Sequence, residues 1–379
     1  MDATAPRILS QAERLAWLRL IRTENVGPVT FRQLLRRFGT AAAAIDALPD
    51  LARRGGRKGP IRVCPATAAR QELETLDALG AQTIALVEPA YPPALAALDD
   101  APPMVSCFGH PHLMHRNAIA VVGARNASAN GRRLARLIAA DLGAAGLLVV
   151  SGLARGIDAA AHEGALESGT VAVVAGGIDV IYPEDNAALY AQIKARGVIV
   201  SEMPPGTVPQ ARHFPRRNRL ISGMALGTLV VEAAPRSGSL ITARLALDQG
   251  REVFAVPGSP LDPRARGCNE LLRQGAVLVE SAADVLQALA AVRTAPAAEP
   301  AAADFLAAAP VEPPASELAK ARQAVEELLG PTAAAVDEVI RQCQVSAALV
   351  HLVLLELELA GRLERHPGNR VALIAGAAD

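Results

Sequence analysis

Four loops of small residues carry most of the chemistry this sequence offers. They are Gly123-Ala124-Arg125-Asn126-Ala127-Ser128, Ser151-Gly152-Leu153-Ala154-Arg155-Gly156-Ile157-Asp158, Ala175-Gly176-Gly177-Ile178-Asp179 and Glu232-Ala233-Ala234-Pro235-Arg236-Ser237-Gly238-Ser239, and each follows a short apolar run. Glycine lets main chain approach a ligand, small hydroxyls donate hydrogen bonds, and helix N-termini favour anions. Strand-to-helix turns often carry glycine for conformational reasons, so a single loop would say little. Four of them, two with an arginine at the mouth, point to phosphate. Near them in sequence lies Arg212-His213-Phe214-Pro215-Arg216-Arg217-Asn218-Arg219, inside a stretch from Met203 to Val231 that holds no Asp or Glu. Arginines without acid partners belong at the surface, where the guanidinium forks onto phosphate oxygens; a merely solvated face is the bland alternative. Phe214 either stacks on a base, as in single-strand binders, or anchors its loop.

Strands must position these loops. Ala118–Val122, Leu147–Val150, Val171–Val174, Val198–Val200, Thr228–Val231 and Val253–Val256 are short, apolar and rich in β-branched residues, as strands buried on both faces are. Helical patterns fall between most of them, at Gly131–Leu142, Ile157–Glu167, Ala187–Ala195 and Leu240–Asp248. The alternation predicts an α/β fold, an extended Rossmann-like, doubly wound parallel sheet whose glycine loops emerge together at the carboxyl edge. The expected segments are residues 1–62, 63–292, 293–315 and 316–379. The first is helical, with the hairpin Glu24–Thr30 between two helices and eleven Arg/Lys against five Asp/Glu in residues 1–60. That suits either a helix-hairpin-helix DNA contact or a packing module. The third is an Ala/Pro-rich linker. The last reads as a winged helix: three helices, then a hairpin turning at Pro367-Gly368-Asn369. It holds nine acidic and six basic residues, and its recognition helix, Ser346–Glu358, has no Arg or Lys but carries Glu356 and Glu358. A groove reader needs cations, so this module is expected to regulate or to contact protein rather than read DNA sequence.

The 379 residues are 51% hydrophobic and 20% charged, which fits a globular chain of two or three domains. With 38 basic and 38 acidic residues, any nucleic-acid signal must be local. Only 3% is aromatic, so affinity would come mainly from phosphates and fall as salt rises. The dinucleotide pattern G-x-G-x-x-G is broken at Gly123-Ala124-Arg125, and no Walker lysine motif occurs, so no cofactor is expected. The histidines are scattered; His162 is expected to be a structural hydrogen-bonder. Asp158, Asp179, Glu202 and Glu232 are expected to orient loops and pair with arginines, and the chain to lack catalytic activity. Cys64, Cys107, Cys268 and Cys343 show neither metal-ligand nor disulfide spacing. Glu13 and Arg14 interrupt the only apolar run near the start, so no signal peptide is expected; no run reaches membrane-spanning length, and the expected compartment is the cytoplasm.

Together these blocks resemble the DNA processing protein A family (DprA, also called Smf). The resemblance rests on GAR at Gly123–Arg125, SGLARGID at Ser151–Asp158, GGIDVIYPEDN at Gly176–Asn186, SEMPPG at Ser201–Gly206, FPRRNRLI at Phe214–Ile221 and VVEAAPRSGSLITA at Val230–Ala243. VFAVPG at Val253–Gly258 and GCNELLRQGA at Gly267–Ala276 complete it. It implies a protein that binds single-stranded DNA, protects incoming DNA in natural transformation and helps load the RecA recombinase, acting as a homodimer. It also implies an N-terminal sterile-alpha-motif-like domain and a C-terminal winged helix. By resemblance, Arg125 and Arg217-Asn218-Arg219 contact phosphates, and Ser237–Ser239 line the same groove. Ala124 stands where the family more usually has serine, which removes one hydroxyl donor. The full candidate DNA-binding set is Gly123, Arg125, Ser151, Gly152, Arg155, Gly177, Arg212, Phe214, Arg216, Arg217, Asn218, Arg219, Ser237, Gly238 and Ser239. Two rivals remain: a nucleoside monophosphate phosphoribohydrolase-like enzyme, suggested by Gly227-Thr228 with Glu232, and a winged-helix transcription regulator.

Overall fold

The computed structural model describes residues 7–294, 314–366 and 368–374. The expected linker at 293–315 and the turn residue Pro367 thus lie almost wholly outside the described residues. In chain order come α1 (Gln11–Ile21), α2 (Pro28–Phe38), α3 (Ala41–Arg54), α4 (Ala66–Ala78), β1 (Gln82–Ala85), α5 (Pro93–Ala96), β2 (Met104–Gly109), β3 (Ala118–Val122), α6 (Ala129–Ala144), β4 (Leu148–Ser151), α7 (Ile157–Ala165) and β5 (Thr170–Val173). There follow α8 (Ala187–Arg196), β6 (Val198–Ser201), α9 (His213–Gly223), β7 (Gly227–Val230), α10 (Gly238–Asp248), β8 (Glu252–Ala255), α11 (Arg266–Arg273), β9 (Val277–Leu278) and α12 (Ala282–Thr294). Last are α13 (Ala315–Leu328), β10 (Ala334–Ala335), α14 (Val336–Cys343), α15 (Ala347–Leu359), β11 (Leu363–His366) and β12 (Arg370–Leu373).

These elements divide into two units, one of Met1–Ile8 with Glu72–Ala301 and one of Leu9–Gln71 with Ala302–Asp379. The larger unit is built on a nine-stranded sheet in the order β1-β2-β6-β5-β4-β3-β7-β8-β9. From β6 to β9 the strands are parallel, and the carboxyl ends of β3, β4, β5 and β7 share one edge. The strand order reverses between β3 and β7, the place where open α/β sheets bind ligands. Alternate residues supply the two cores: Ala118, Ala120 and Val122 of β3 face one cluster, Ile119 and Val121 the other. The sheet is mixed, because β1 and β2 add an antiparallel edge. That edge is not among the strands expected from the sequence: Gln82–Ala85 opens on two polar residues and Met104–Gly109 is broken by Ser106, so neither is a continuous apolar run.

The smaller unit joins the helices at the start of the chain to the winged helix at its end. The wing is a three-stranded antiparallel sheet in the order β10-β12-β11. Its recognition helix, α15, is capped by Ser346 and packs on α13, α3 and α2. Val350, Leu352, Val353, Leu354, Leu355, Leu357 and Leu359 are all buried there. Gly55 lies so close that a methyl at its Cα would fall 1.9 Å from the carbonyl oxygen of Glu356. Glu356 is fully buried; its Oε2 pairs with Arg322 and its Oε1 has no partner. Asn25 of the N-terminal hairpin donates to the carbonyl of Leu359.

Candidate nucleic-acid interface

The glycine loops do gather at the carboxyl edge, and several of their main-chain donors are already engaged by side chains. Ser128 caps α6, its Oγ accepting from the Gly131 amide at 2.9 Å. The Glu232 carboxylate accepts from the Ser128 amide at 2.9 Å and from its hydroxyl at 2.6 Å. Glycine at 131 leaves room for that carboxylate, since a methyl there would fall 2.5 Å from it. Glu232 therefore stands at the N-terminus of α6, where a dinucleotide fold places pyrophosphate. In the second loop the amides of Gly152 (3.1 Å) and Ala154 (3.4 Å) donate to Asp158 Oδ2. Asp179 accepts from the Gly206 amide at 2.8 Å. Three of the acids expected to orient loops do so.

The basic stretch corrects an expectation. It forms the start of α9, and Arg216 and Arg219 are not free of acid partners, because those partners come from elsewhere in the chain. Arg216 Nε bonds Glu202 Oε1 at 2.6 Å, and Arg219 pairs with Glu202 Oε2 and bonds the carbonyl of Asp100. Arg219 is only 8% exposed. Asn218 is buried too and donates to the carbonyl of Gly238 at 3.4 Å, tying α9 to the start of α10.

Arg217 points the other way. It is 5% exposed, and Nη1 donates to the carbonyl of Val173 at 3.1 Å. A methyl on Gly152 would fall 1.5 Å from that nitrogen, so glycine there makes room for the guanidinium. Burial lowers the Arg217 pKa to about 10, with the Asp158 charge opposing and the Arg125 charge adding to the fall. Arg217 therefore stays cationic at neutral pH. Burial likewise raises the Asp158 pKa, against the pull of Arg217 and the loop amides.

Arg217 and Arg125 converge on one aromatic ring. The Arg125 guanidinium carbon lies 4.9 Å from the centroid of Phe214 and that of Arg217 5.9 Å, both within cation–π range. The Tyr182 ring sits 5.8 Å from Phe214, tilted by 54°. These four residues line a cleft with Gly152, Ala154, Arg155, Gly176 and Pro209. Two neighbouring cations repel each other, and an anion between them would relieve that repulsion. Rings beside them offer a face to a base.

Among the candidates, the cleft thus brings together Arg125, Gly152, Arg155, Phe214 and Arg217. The others lie elsewhere. Gly123 packs against Ile157, and the Ser151 hydroxyl is buried, donating to the carbonyl of Val121 at 2.6 Å. Gly177 is buried behind Asp179 and Gly206, while its neighbour Gly176 lines the cleft. Ser237, Gly238 and Ser239 form the N-terminus of α10, where Ser237 caps through the Ser239 amide. Arg212 and Arg216 are exposed at the start of α9. Sequence reasoning missed Tyr182 as a ring of the site, although the GGIDVIYPEDN block contains it. Arg236, an exposed non-glycine residue held at φ 65°, stands beside Ser237 outside the cleft lining.

His162 is buried, its Nδ1 2.8 Å from Thr170 Oγ1, which itself donates to the carbonyl of Val149. This is the structural role expected of it. Among the described residues no cluster of three His, Cys, Asp or Glu could hold a metal, and no helix is long and apolar enough to cross a membrane.

Residues 82–290 match the family model of DNA recombination-mediator protein A. Residues 11–75 match a DprA-like N-terminal HHH domain and residues 307–369 a DprA winged helix domain. Protein Smf of Escherichia coli K12 is 40% identical over 290 residues, 75% of each chain. The DNA processing protein DprA of Bacillus subtilis 168 is 41% identical over 213 residues, 55% of this chain and 72% of that one. The solved structure of DNA processing protein A from Streptococcus pneumoniae is similar at TM-score 0.60 and 33% identity, covering 74% of this chain and 98% of that one. DNA processing protein A from Helicobacter pylori, described for its single-stranded DNA binding mode, is similar at TM-score 0.52 and 28% identity, covering 56% and 96%. With the central sheet, the helical start and the winged helix matched in the same order, the chain belongs to the DNA processing protein A family.

Proposed function

We propose that this chain binds single-stranded DNA at the Phe214 cleft, shields incoming strands in natural transformation and helps load them onto the RecA recombinase. It works as a homodimer in the cytoplasm and has no catalytic activity of its own. The reading rests on one observation above the others: the guanidinium groups of Arg125 and Arg217 flank Phe214, with Tyr182 alongside. Cations beside rings suit a strand whose phosphates and bases are both accessible, whereas a duplex hides its base faces. The Helicobacter pylori relative, described as binding single-stranded DNA, supports the same ligand. Recombinase loading and dimerisation come from the family resemblance. The hydrolase alternative is weakened because Glu232, its would-be acid, is already engaged by Ser128.

Titration with matched single- and double-stranded oligonucleotides tests this reading. The single strand should bind more tightly. Arg125→Ala and Phe214→Ala should each weaken that binding by more than tenfold, or about 1.4 kcal/mol. Equal affinity for both oligonucleotides, or unchanged affinity in the folded variants, would overturn it.

A further inference from the structure

We propose a second phosphate-binding groove on the α6–α7 face, into which a strand held at the Phe214 cleft continues, its phosphates meeting Arg132 and Arg136. This rests on the single-strand reading above and extends the path of the same ligand. The groove is open, with room for about 600 Å³, and shares Arg125 and Arg155 with the cleft, so the two are continuous. Beyond those shared residues it is lined by Asn126, Arg132, Arg136 and Glu163, over a floor of Gly156, Ala159 and Ala160.

Charge decides what fits. Four arginines line the groove against one carboxylate, that of Glu163. Arg132 and Arg136 are four residues apart on α6 and so lie on one face of it. Two of the four arginines have exposed acid partners: Arg136 pairs with Glu163 at 49% and 44% side-chain exposure, and Arg155 lies 3.4 Å from Asp185 at 65% and 67%. Exposed pairs of this kind are weak and exchange readily, so a phosphate can take the place of the carboxylate.

The shape fits the same occupant. Gly164 lets the two helices approach closely, since a methyl there would fall 2.2 Å from the carbonyl of Arg136. Small floor residues leave the backbone path unobstructed. No aromatic residue lines this groove, in contrast to the cleft. The two halves therefore divide the work: the cleft takes a base with its phosphate, and the groove takes backbone alone, without regard to sequence.

Oligothymidylates of two lengths, about 5 and about 15 nucleotides, separate the halves, since single-strand sites commonly span about 4–16 nucleotides. The full-length protein would be titrated with each. Arg132→Ala should weaken binding of the longer strand about fivefold and leave the shorter one unchanged. Glu163→Gln, which releases Arg136, should tighten the longer strand severalfold. If neither variant alters the longer strand, or if Arg132→Ala weakens both lengths equally, the groove is not a continuation of the path. Failure of the unaltered protein to bind either length would overturn the single-strand reading itself, and the groove with it.

Discussion

Side chains at the sheet edge divide into those that build the site and those that face a ligand, and burial makes the division. Arg219 carries the same charge as Arg125, but its guanidinium is enclosed with Glu202 and the carbonyl of Asp100. Removing one partner of a buried pair strands the other charge. Arg219→Ala is therefore expected to cost about 3 kcal/mol of stability, read by urea denaturation, whatever it does to DNA affinity. Equal stability would show that Glu202 is served by its other contacts. His162 gives a pH signature. Burial, with help from the Arg217 charge, lowers its pKa from 6.5 to about 3. The unfolded chain therefore binds a proton that the folded one refuses between those values, and stability falls as pH drops through that window. Between pH 7 and pH 5 this one group should remove about 2 kcal/mol. His162→Gln should lose correspondingly less over the same interval; parallel curves for the two proteins would contradict the assignment.

Helices and strands differ in how openly the sequence announces them. The parallel strands were legible because β-branched runs such as Ala118–Val122 are buried on both faces. α9 was not, because its inner face is polar: Arg217, Asn218 and Arg219 are all buried, so hydropathy points the wrong way. Their counter-charges sit at Glu202, Asp100 and Asp158, distances along the chain that a local reading does not join. The residue types at the cleft could be listed from sequence, but only folding showed which of them meet. α15 poses the converse problem. Its apolar sequence and two acids argued against groove reading, and the structure gives a physical reason: the helix is an internal surface, covered by α2, α3 and α13. The N-terminal hairpin, weighed as a DNA contact or a packing module, is engaged there through Asn25. Gly55→Val should separate these elements, since its side chain would meet the Glu356 carbonyl. A loss of about 1–3 kcal/mol is expected, seen as earlier unfolding of the terminal unit in thermal denaturation. An unshifted transition would mean the contact is not tight.

At the scale of the whole molecule, zero net charge and a strongly positive local edge are compatible because the acids have been placed. Glu232 and Asp158 accept from amides of the glycine loops, and Asp179 from the Gly206 amide nearby. What stands exposed beside them is cationic side chain. Arg125, Arg155 and Arg236 are exposed along that edge, with Arg217 behind them. Affinity should thus be electrostatic, with base stacking confined to Phe214 and Tyr182. The most direct check is the salt dependence of oligothymidylate binding, for the full-length protein and for Arg125→Ala. Log affinity should fall linearly with log salt, and the variant should bind more weakly with a slope shallower by about 0.7, the value of one phosphate contact on a single strand. Binding that ignores salt, or a folded Arg125→Ala protein with the parent's slope and affinity, would contradict a phosphate site at the Phe214 cleft.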